Sequence, residues 1–219
     1  MATVEKLTRN TTSAEVARIL RHRILGGHYE EDQFIRQEGI ARELGVSRLP
    51  VREALALLEN EGLVVREKYK GALIPKLSVS EITEIYALRG MLEPYLMRAA
   101  ISNIDEAALE ELSGIIERSR NAQDLTEWAD LNQAFHRKLY EHANKPLSLQ
   151  VLDNLLMRAD RYLKMQRVLS TETQRESDAE HQHLLDLIVA GDTETALAAL
   201  EKHIAWNEKD VLRTVGLQK

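Results

Sequence analysis

Three histidines and one asparagine in the C-terminal part of the chain have the spacing of residues that share an interior site. Asn132 and His136 are four residues apart, so both lie on one face of a helical segment. His181 and His203 each continue the apolar stripe of a later helical segment. Neutral imidazole nitrogens, with an amide oxygen beside them, suit zinc, nickel, cobalt or iron(II). The pattern therefore indicates a metal site, although a single inward histidine is more often a core residue with a hydrogen-bond partner.

Two arginines near residue 50 have the spacing of a pair that reads nucleic acid. Arg48 and Arg52 are four residues apart at the start of a helical segment, and neither lies on its apolar stripe. A guanidinium group can bind guanine bidentately in the major groove, or it can contact a phosphate. The alternative is a solvated surface on which Arg52 pairs with a nearby carboxylate. We favour DNA contact because of the elements that surround the pair.

The elements around this pair have the order of a winged helix-turn-helix. Thr12–Glu15 is typical of a capping box and predicts the start of the first helix. Gly45 ends the second helix, and Ser47 is the predicted N-cap of the third. Two short strands follow and form a hairpin wing. The patterns place helices at about 12–25, at 37–44 and from 47 onward, and strands at 63–66 and 72–74.

Beyond Pro75 the strand signals disappear, and only helical patterns follow. Ser78–Glu81 is typical of a capping box. The apolar stripe predicted to face the core follows it at helical spacing and consists of Ile82, Ile85, Leu88, Leu92 and Leu96. Further helical patterns run at about 105–121, 126–143, 147–169, 173–190 and 193–213. We therefore expect a mostly α protein. Residues 1–76 form a winged helix-turn-helix with three helices and a two-stranded wing, and residues 77–219 form an all-α six-helix bundle.

The charge of the chain is divided unevenly between these two parts. The net charge is −6, but residues 1–78 carry 13 Lys and Arg against 11 Asp and Glu, which leaves −8 for residues 79–219. A slightly basic part joined to an acidic part suits a DNA-binding domain whose neighbour opposes binding to random DNA. The absence of cysteine excludes disulfides and thiolate metal sites. No segment resembles a signal peptide or a membrane span, so we expect a cytoplasmic protein with no membrane partner.

The residues around Arg48 and Arg52 resemble those of a known family. The run Glu43–Leu55 reads ELGVSRLPVREAL, and EGLV follows it at Glu61–Val64. Both segments resemble the DNA-binding domain of the GntR family of bacterial regulators. By that resemblance the residues that contact double-stranded DNA are Arg36, Ser47, Arg48 and Arg52, with Lys70 and Gly71 at the tip of the wing.

The histidine pattern resembles the FCD domain of the FadR-like branch of the same family. The resemblance rests on AFH at Ala134–His136, on EHQHLL at Glu180–Leu185 and on His203. It implies a divalent metal ion, which we expect to be zinc, nickel or manganese. The implied ligands are Asn132, His136, His181 and His203, and asparagine stands at the first of these positions where the family has aspartate. Asp178 shares a face with His181 and is the alternative source of that carboxylate.

The same resemblance implies an effector pocket beside the metal site. Arg89 lies in LRGMLEP, which resembles the first helix of the FCD domain, and an arginine near a metal ion is a good clamp for a small carboxylate. A structural ion pair between Arg89 and Glu93, one turn apart, is equally consistent with the sequence. Arg158 and Arg161 are further candidates for effector binding.

Together these features predict a ligand-responsive transcriptional regulator, with repressor favoured, that binds a palindromic operator as a homodimer. A metal-dependent helical-bundle enzyme is the alternative from another class. Di-iron enzymes of that kind need two Glu-x-x-His pairs, and the chain does not supply two. A purely architectural DNA-binding protein would not explain the long C-terminal part or the inward polar residues within it.

Overall fold

The computed structural model describes residues 9–67, 71–76, 78–166 and 171–214 of the chain. Two compact units make up the structure, Met1–Leu77 and Ser78–Lys219. No helix in the described residues is both long enough and apolar enough to span a membrane. Each unit has its own apolar core, and each is described separately below.

The first unit contains three helices and a three-stranded sheet in the part that the structure describes. The elements are α1 (Arg9–Leu25), β1 (Phe34–Arg36), α2 (Gln37–Glu43), α3 (Arg48–Asn60), β2 (Val65–Glu67) and β3 (Gly71–Leu73). The strand order is β1-β3-β2, and both pairings are antiparallel. Leu20 and Ile24 of α1 are fully buried, as are Leu55 and Leu58 of α3, which packs on α1.

The turn between α2 and α3 is short because Gly45 adopts a left-handed conformation. Its φ of +65° is one that glycine reaches at low cost. The amide of Val46 donates to the carbonyl of Ala41 and so closes the end of α2. Ser47 is the N-cap of α3, although its side chain makes no capping hydrogen bond. The predicted helix-turn-helix is confirmed.

Two features of the first unit differ from the sequence prediction. The described part of α1 already includes Arg9, so Thr12 of the predicted capping box lies inside the helix, and the hydroxyl of Ser13 donates to the Glu53 carboxylate of α3. The sheet also has a third strand, because β1 pairs with β3. β1 is three residues long and buries only Ile35. So short a run cannot show the alternation of apolar and polar residues by which a strand is recognised.

The second unit is helical throughout the residues described, which confirms the predicted bundle. Its six helices there are α4 (Val79–Ile101), α5 (Glu106–Arg120), α6 (Leu125–Glu141), α7 (Pro146–Gln166), α8 (Thr171–Val189) and α9 (Thr193–Thr214). α5 and α6 start at aspartates whose carboxylates accept a backbone amide, Asp105 from Ala108 and Asp124 from Glu127. Phe135 and Tyr140 of α6 are among the largest fully buried side chains.

α4 differs from its prediction in its cap and in its buried face. Ser78 is the N-cap, but its hydroxyl makes no capping hydrogen bond and lies 2.8 Å from that of Ser80. Leu88, which was predicted to face the core, is 43% exposed. Arg89 and Glu93 are buried instead. α4 therefore turns a charged pair, rather than a continuous apolar stripe, towards the interior.

Candidate functional site

The three predicted histidines come together inside the second unit, each from a different helix. His136 lies on α6, His181 on α8 and His203 on α9, and each is only 1% exposed. One ring nitrogen of each lies within 4.8 Å of the corresponding nitrogens of the other two. The ring centroids are 4.8–5.3 Å apart. Three imidazole donors can therefore converge on a single ion.

Burial keeps two of these rings neutral. It lowers the pKa of His136, although the nearby Glu93 carboxylate acts in the opposite direction. Burial lowers the pKa of His181 well below its ordinary value, and the neighbouring histidines add to this effect. A neutral imidazole keeps a lone pair on one ring nitrogen, which is the form that binds metal ions.

Three unpaired atoms of the predicted ligands fit a metal ion. Within the described part of the chain, Asn132 Oδ1, His136 Nε2 and His181 Nε2 are buried and have no hydrogen-bond partner. Native proteins pair most buried polar atoms, so three such atoms among four predicted ligands need an explanation. All three are donors that first-row divalent metals accept. The side chains present therefore fit the group that the sequence pattern implies.

His203 differs from the other two because both of its ring nitrogens have neighbours. Its Nδ1 lies 2.6 Å from Oε2 of Glu180. Its Nε2 lies 3.0 Å from Nδ2 of Asn207, which also donates to the His203 carbonyl oxygen at 3.1 Å. An ion bound at this ring must therefore displace the Asn207 amide from Nε2.

A buried ion pair that the sequence raised only as an alternative lies beside His136. Arg89 Nε donates to Glu93 Oε1 at 2.6 Å, and these side chains are 5% and 0% exposed. The Tyr140 hydroxyl donates to Glu93 Oε2 at 2.7 Å. Burial alone would raise the pKa of the Glu93 carboxyl, but Arg89, His136 and Tyr140 hold it below its usual range. Glu93 is therefore an ionised carboxylate at the edge of the histidine cluster.

The sequence pattern did not predict Glu93 and Tyr140 as neighbours of the histidines, nor the burial of Ser177. Tyr140 is four residues after His136 and Ser177 is four before His181, so helical spacing could have placed both beside the histidines. Ser177 is fully buried, and its hydroxyl has no hydrogen-bond partner among the described residues. It is a further polar atom in the interior of α8.

The remaining candidates of the second unit have other partners or lie outside the description. Arg158 is half-buried and donates to Glu81 at 3.0 Å. The side chain of Arg161 lies outside the described residues. Asp178, which shares a face with His181, instead accepts hydrogen bonds from Ser119 Oγ and Trp128 Nε1. Asp178 is not part of the histidine cluster over the described residues.

The arginines predicted to contact DNA lie on the surface of the first unit. Arg48 and Arg52 are exposed on α3, with Ser47 just ahead of them and Arg36 exposed at the end of β1. The Arg48 guanidinium, 70% exposed, pairs with Glu38 of α2 at 2.7 Å. Arg66 of β2 lines the same groove as Arg48 and Arg52. Arg66 was not predicted as part of this surface, because its position in a short predicted strand does not show which way its side chain points.

Of the two predicted wing residues, only Gly71 lies in the described part of the chain. Lys70 lies outside the described residues. Gly71 is buried at the start of β3 rather than exposed at a wing tip. Its φ is +148°, and a Cβ there would lie 2.0 Å from the carbonyl oxygen of Ile35. The close approach of β1 gives this glycine a role in strand pairing.

A helix-turn-helix that presents arginines from its second helix, beside a small sheet, defines a DNA-binding transcriptional regulator with a winged-helix unit. The chain matches the family model "Bacterial regulatory proteins, gntR family" over residues 12–74 and the model "FCD domain" over residues 84–205. It therefore belongs to the GntR family, in the FadR-like group that carries an FCD domain. Members of this family are regulators and not enzymes, so the helical-bundle enzyme is excluded.

Relatives and solved structures agree with this assignment. A gluconate operon transcriptional repressor of Bacillus licheniformis is 33% identical over 153 residues, which cover 68% of this chain and 62% of the relative. The uncharacterized HTH-type transcriptional regulator YdhC of Bacillus subtilis (strain 168) is 28% identical over 184 residues, which cover 81% of this chain and 80% of YdhC. The E. coli McbR/YncC structure has the same fold, with a TM-score of 0.82 at 22% identity over 94% of this chain and 99% of that chain.

Proposed function

We propose that this regulator senses a small carboxylate through a divalent metal ion held in its second unit, and that it represses transcription as a homodimer on a palindromic operator. The observation that carries the proposal is the convergence of His136, His181 and His203 with two buried ring nitrogens left unpaired in the described structure. Asn132 Oδ1 is the fourth proposed ligand. Zinc, nickel and manganese are the candidate ions.

The bound ion would supply positive charge for an anionic ligand. All four proposed donors are uncharged, because the histidine ligands bind as neutral rings and Asn132 replaces an aspartate. No part of the ion's charge is therefore cancelled by its protein ligands. A site of this kind favours an effector that brings its own negative charge.

The class of effector follows from this charge. A carboxylate offers oxygen ligands to the ion and can also accept hydrogen bonds from arginine. Arg89 is the candidate for the second contact, since Glu93 engages its Nε and leaves its terminal nitrogens as further donors. A relative is named for a gluconate operon, and gluconate is a small hydroxylated carboxylate. We therefore propose a sugar acid or a similar small carboxylate as the effector.

Metal uptake tests the proposal most directly. The full-length protein is stripped with a chelator and offered zinc, nickel or manganese, with and without a small carboxylate such as gluconate. We expect about one ion per chain, and we expect metal and carboxylate each to raise the affinity of the other, because binding free energies are reciprocal. Calorimetry measures both affinities.

Two histidine variants control this measurement. His136→Ala removes a proposed ligand and should abolish metal uptake. His183→Ala removes an exposed histidine two residues after His181 and should leave uptake unchanged. If the unmodified protein takes up none of the three metals even with carboxylate present, the proposed metal site is wrong.

A further inference from the structure

We propose that Glu93 is a positioning residue of the metal site, which holds His136 in the tautomer that carries its proton on Nδ1 and its lone pair on Nε2. Arg89 in turn fixes the orientation of Glu93. This inference rests on the proposed metal site, because it assigns Glu93 a role in preparing one ligand of that site. The neighbours of His136 determine which of its ring nitrogens carries the proton.

The tautomer of His136 follows from what its neighbours can donate. Nδ1 lies 3.4 Å from the Tyr140 hydroxyl oxygen and 3.4 Å from Glu93 Oε2. Tyr140 gives its single proton to Glu93 at 2.7 Å, so its oxygen can only accept from the ring. An ionised carboxylate also only accepts. The proton between these groups must therefore belong to Nδ1, which leaves the lone pair on Nε2.

The other end of the Glu93 carboxylate is held independently. Oε1 accepts from Arg89 Nε at 2.6 Å, and the Arg89 guanidinium lies 4.8 Å above the ring of Tyr86. Each carboxylate oxygen thus has its own partner, and the group cannot turn without losing one of them. The ion pair therefore transmits a fixed orientation from α4 to the ring of His136 on α6.

The same arrangement occurs a second time in the cluster. His203 Nδ1 lies 2.6 Å from Glu180 Oε2, and Asn207 must donate towards Nε2 because its nitrogen also donates to a carbonyl oxygen. His203 therefore carries its proton on Nδ1 as well. A carboxylate behind a ligating imidazole selects its tautomer and strengthens it as a ligand. Two of the three histidines share this device.

Replacement of Glu93 by glutamine should change the tautomer of His136, because the hydrogen bond from Arg89 fixes the orientation of the new amide. Arg89 Nε can only donate, so the amide oxygen must take the place of Oε1. The NH₂ group then takes the place of Oε2 and donates towards His136 Nδ1. The proton of His136 must move to Nε2, where it blocks the lone pair needed for metal binding.

The experiment reads the tautomers directly in the full-length, metal-stripped protein. Two-bond ¹H–¹⁵N spectra of ¹⁵N-histidine-labelled protein distinguish the Nδ1–H and Nε2–H forms, and zinc affinity is measured by calorimetry on the same samples. We expect Nδ1–H at His136 in the unmodified protein. In Glu93→Gln we expect Nε2–H and zinc affinity about 10–100-fold lower. An Nε2–H ring in the unmodified protein would overturn the inference before any variant is made.

Two further variants separate positioning from charge and from folding. Asp178→Asn neutralises another buried carboxylate of the unit, whose oxygen can still accept from Ser119 and Trp128, and should change neither the tautomer nor zinc affinity. Arg89→Met with Glu93→Gln removes the unpaired buried cation that could unfold the single variant. It also frees the amide to turn its oxygen towards Tyr140 and His136, so the Nδ1–H form and most of the zinc affinity should return.

The outcomes distinguish this inference from the proposed function. If zinc binds the unmodified protein and Glu93→Gln equally well, or if the tautomer of His136 does not change, Glu93 is not a positioning residue although the metal site stands. If the unmodified protein takes up none of zinc, nickel and manganese, the metal site of the proposed function fails, and the role of Glu93 towards it fails too.

Discussion

Arg48 and Arg52 lie on one outward face of α3, where each guanidinium group is predicted to contact DNA. Arg48 already has a carboxylate partner in Glu38 at 2.7 Å, but both groups are more than half exposed. Exposed ion pairs of this kind contribute little to stability. Arg48 can therefore exchange Glu38 for a base edge or a phosphate at small cost.

Arg52→Ala should weaken operator binding by about 1–3 kcal/mol if the guanidinium contacts a base edge. Helix content should not change, because Arg52 is exposed and lies off the buried stripe of α3. Fluorescence anisotropy at fixed salt, on DNA from upstream of the gene, measures the affinity. Arg18→Ala removes an exposed arginine of α1 that pairs with Glu15 and serves as the control. Full operator affinity in the Arg52→Ala protein would remove α3 as the recognition helix.

The histidines and the arginine pair could be predicted at the level of single residues, but the burial of Glu93 could not. A periodic pattern assigns apolar residues to the interior and charged residues to solvent. That rule predicts that Leu88 of α4 is buried and that Glu93 is exposed. In the structure Leu88 is exposed and Glu93 is buried. Glu93 is buried because Arg89, Tyr140 and His136 satisfy it, and those contacts join two helices that are far apart in sequence.

At the scale of elements, the sheet of the first unit depends on the close approach of β1 to Gly71. Strand β3 lies between β1 and β2, so its first residue is paired on both sides, with Arg36 and with Glu67. A backbone with no side chain at this position allows the Ile35 carbonyl to approach to a distance that a Cβ would obstruct. Gly71 therefore links the third strand to the wing.

Gly71→Ala should destabilise the first unit by roughly 1–3 kcal/mol, because the new Cβ forces β1 away and the φ of +148° strains any residue but glycine. Hydrogen exchange of the full-length protein should show faster exchange at the β1 and β3 amides. Gly39→Ala is the matched control, since a Cβ at this helical glycine meets nothing within 4 Å. It should leave exchange unchanged or slow it, because alanine favours the helix. Equal exchange in the two variants would contradict the role given to Gly71.

The bounds of the helices in the second unit could be predicted most closely, because they depend on neighbouring residues. Long amphipathic segments such as α5 and α6 are recognisable from the sequence, because capping and periodicity involve neighbouring residues. The capping boxes at Thr12 and Ser78 do not form. α1 already includes residues ahead of Thr12, and the Glu15 carboxylate that the box would use pairs with Arg18. The hydroxyl of Ser78 lies against that of Ser80 instead of a backbone amide. A four-residue motif does not show these competing partners.

At the scale of the whole molecule, the second unit has its own core and should fold alone. A fragment that starts at Leu77 contains all of α4–α9 and none of the sheet. Circular dichroism should show an entirely helical fold, and sedimentation at micromolar concentration should show a dimer. An unfolded or monomeric fragment would contradict the proposed arrangement of a dimeric sensing unit that presents two DNA-binding units.

A stripe on α4 offers the matched variants for this experiment. Leu88, Met91 and Tyr95 are between 43% and 73% exposed and lie on one face of the helix. Exposed apolar stripes of this kind are typical of protein interfaces. Met91→Glu should shift the fragment towards monomer, whereas Val189→Glu, which changes an exposed apolar residue of α8, should not.

The unpaired atoms of the proposed metal ligands have a consequence for how long the protein survives in a cell. A buried polar atom without a partner costs about 1–3 kcal/mol, against a total stability of only about 5–15 kcal/mol for a typical domain. Asn132 Oδ1, His136 Nε2 and His181 Nε2 are three such atoms in the described structure. A ligand that binds only the folded chain offsets this cost and reduces the fraction that is unfolded and open to proteolysis. On the proposed function, the amount of the regulator in the cell should therefore rise and fall with the supply of its own ligands.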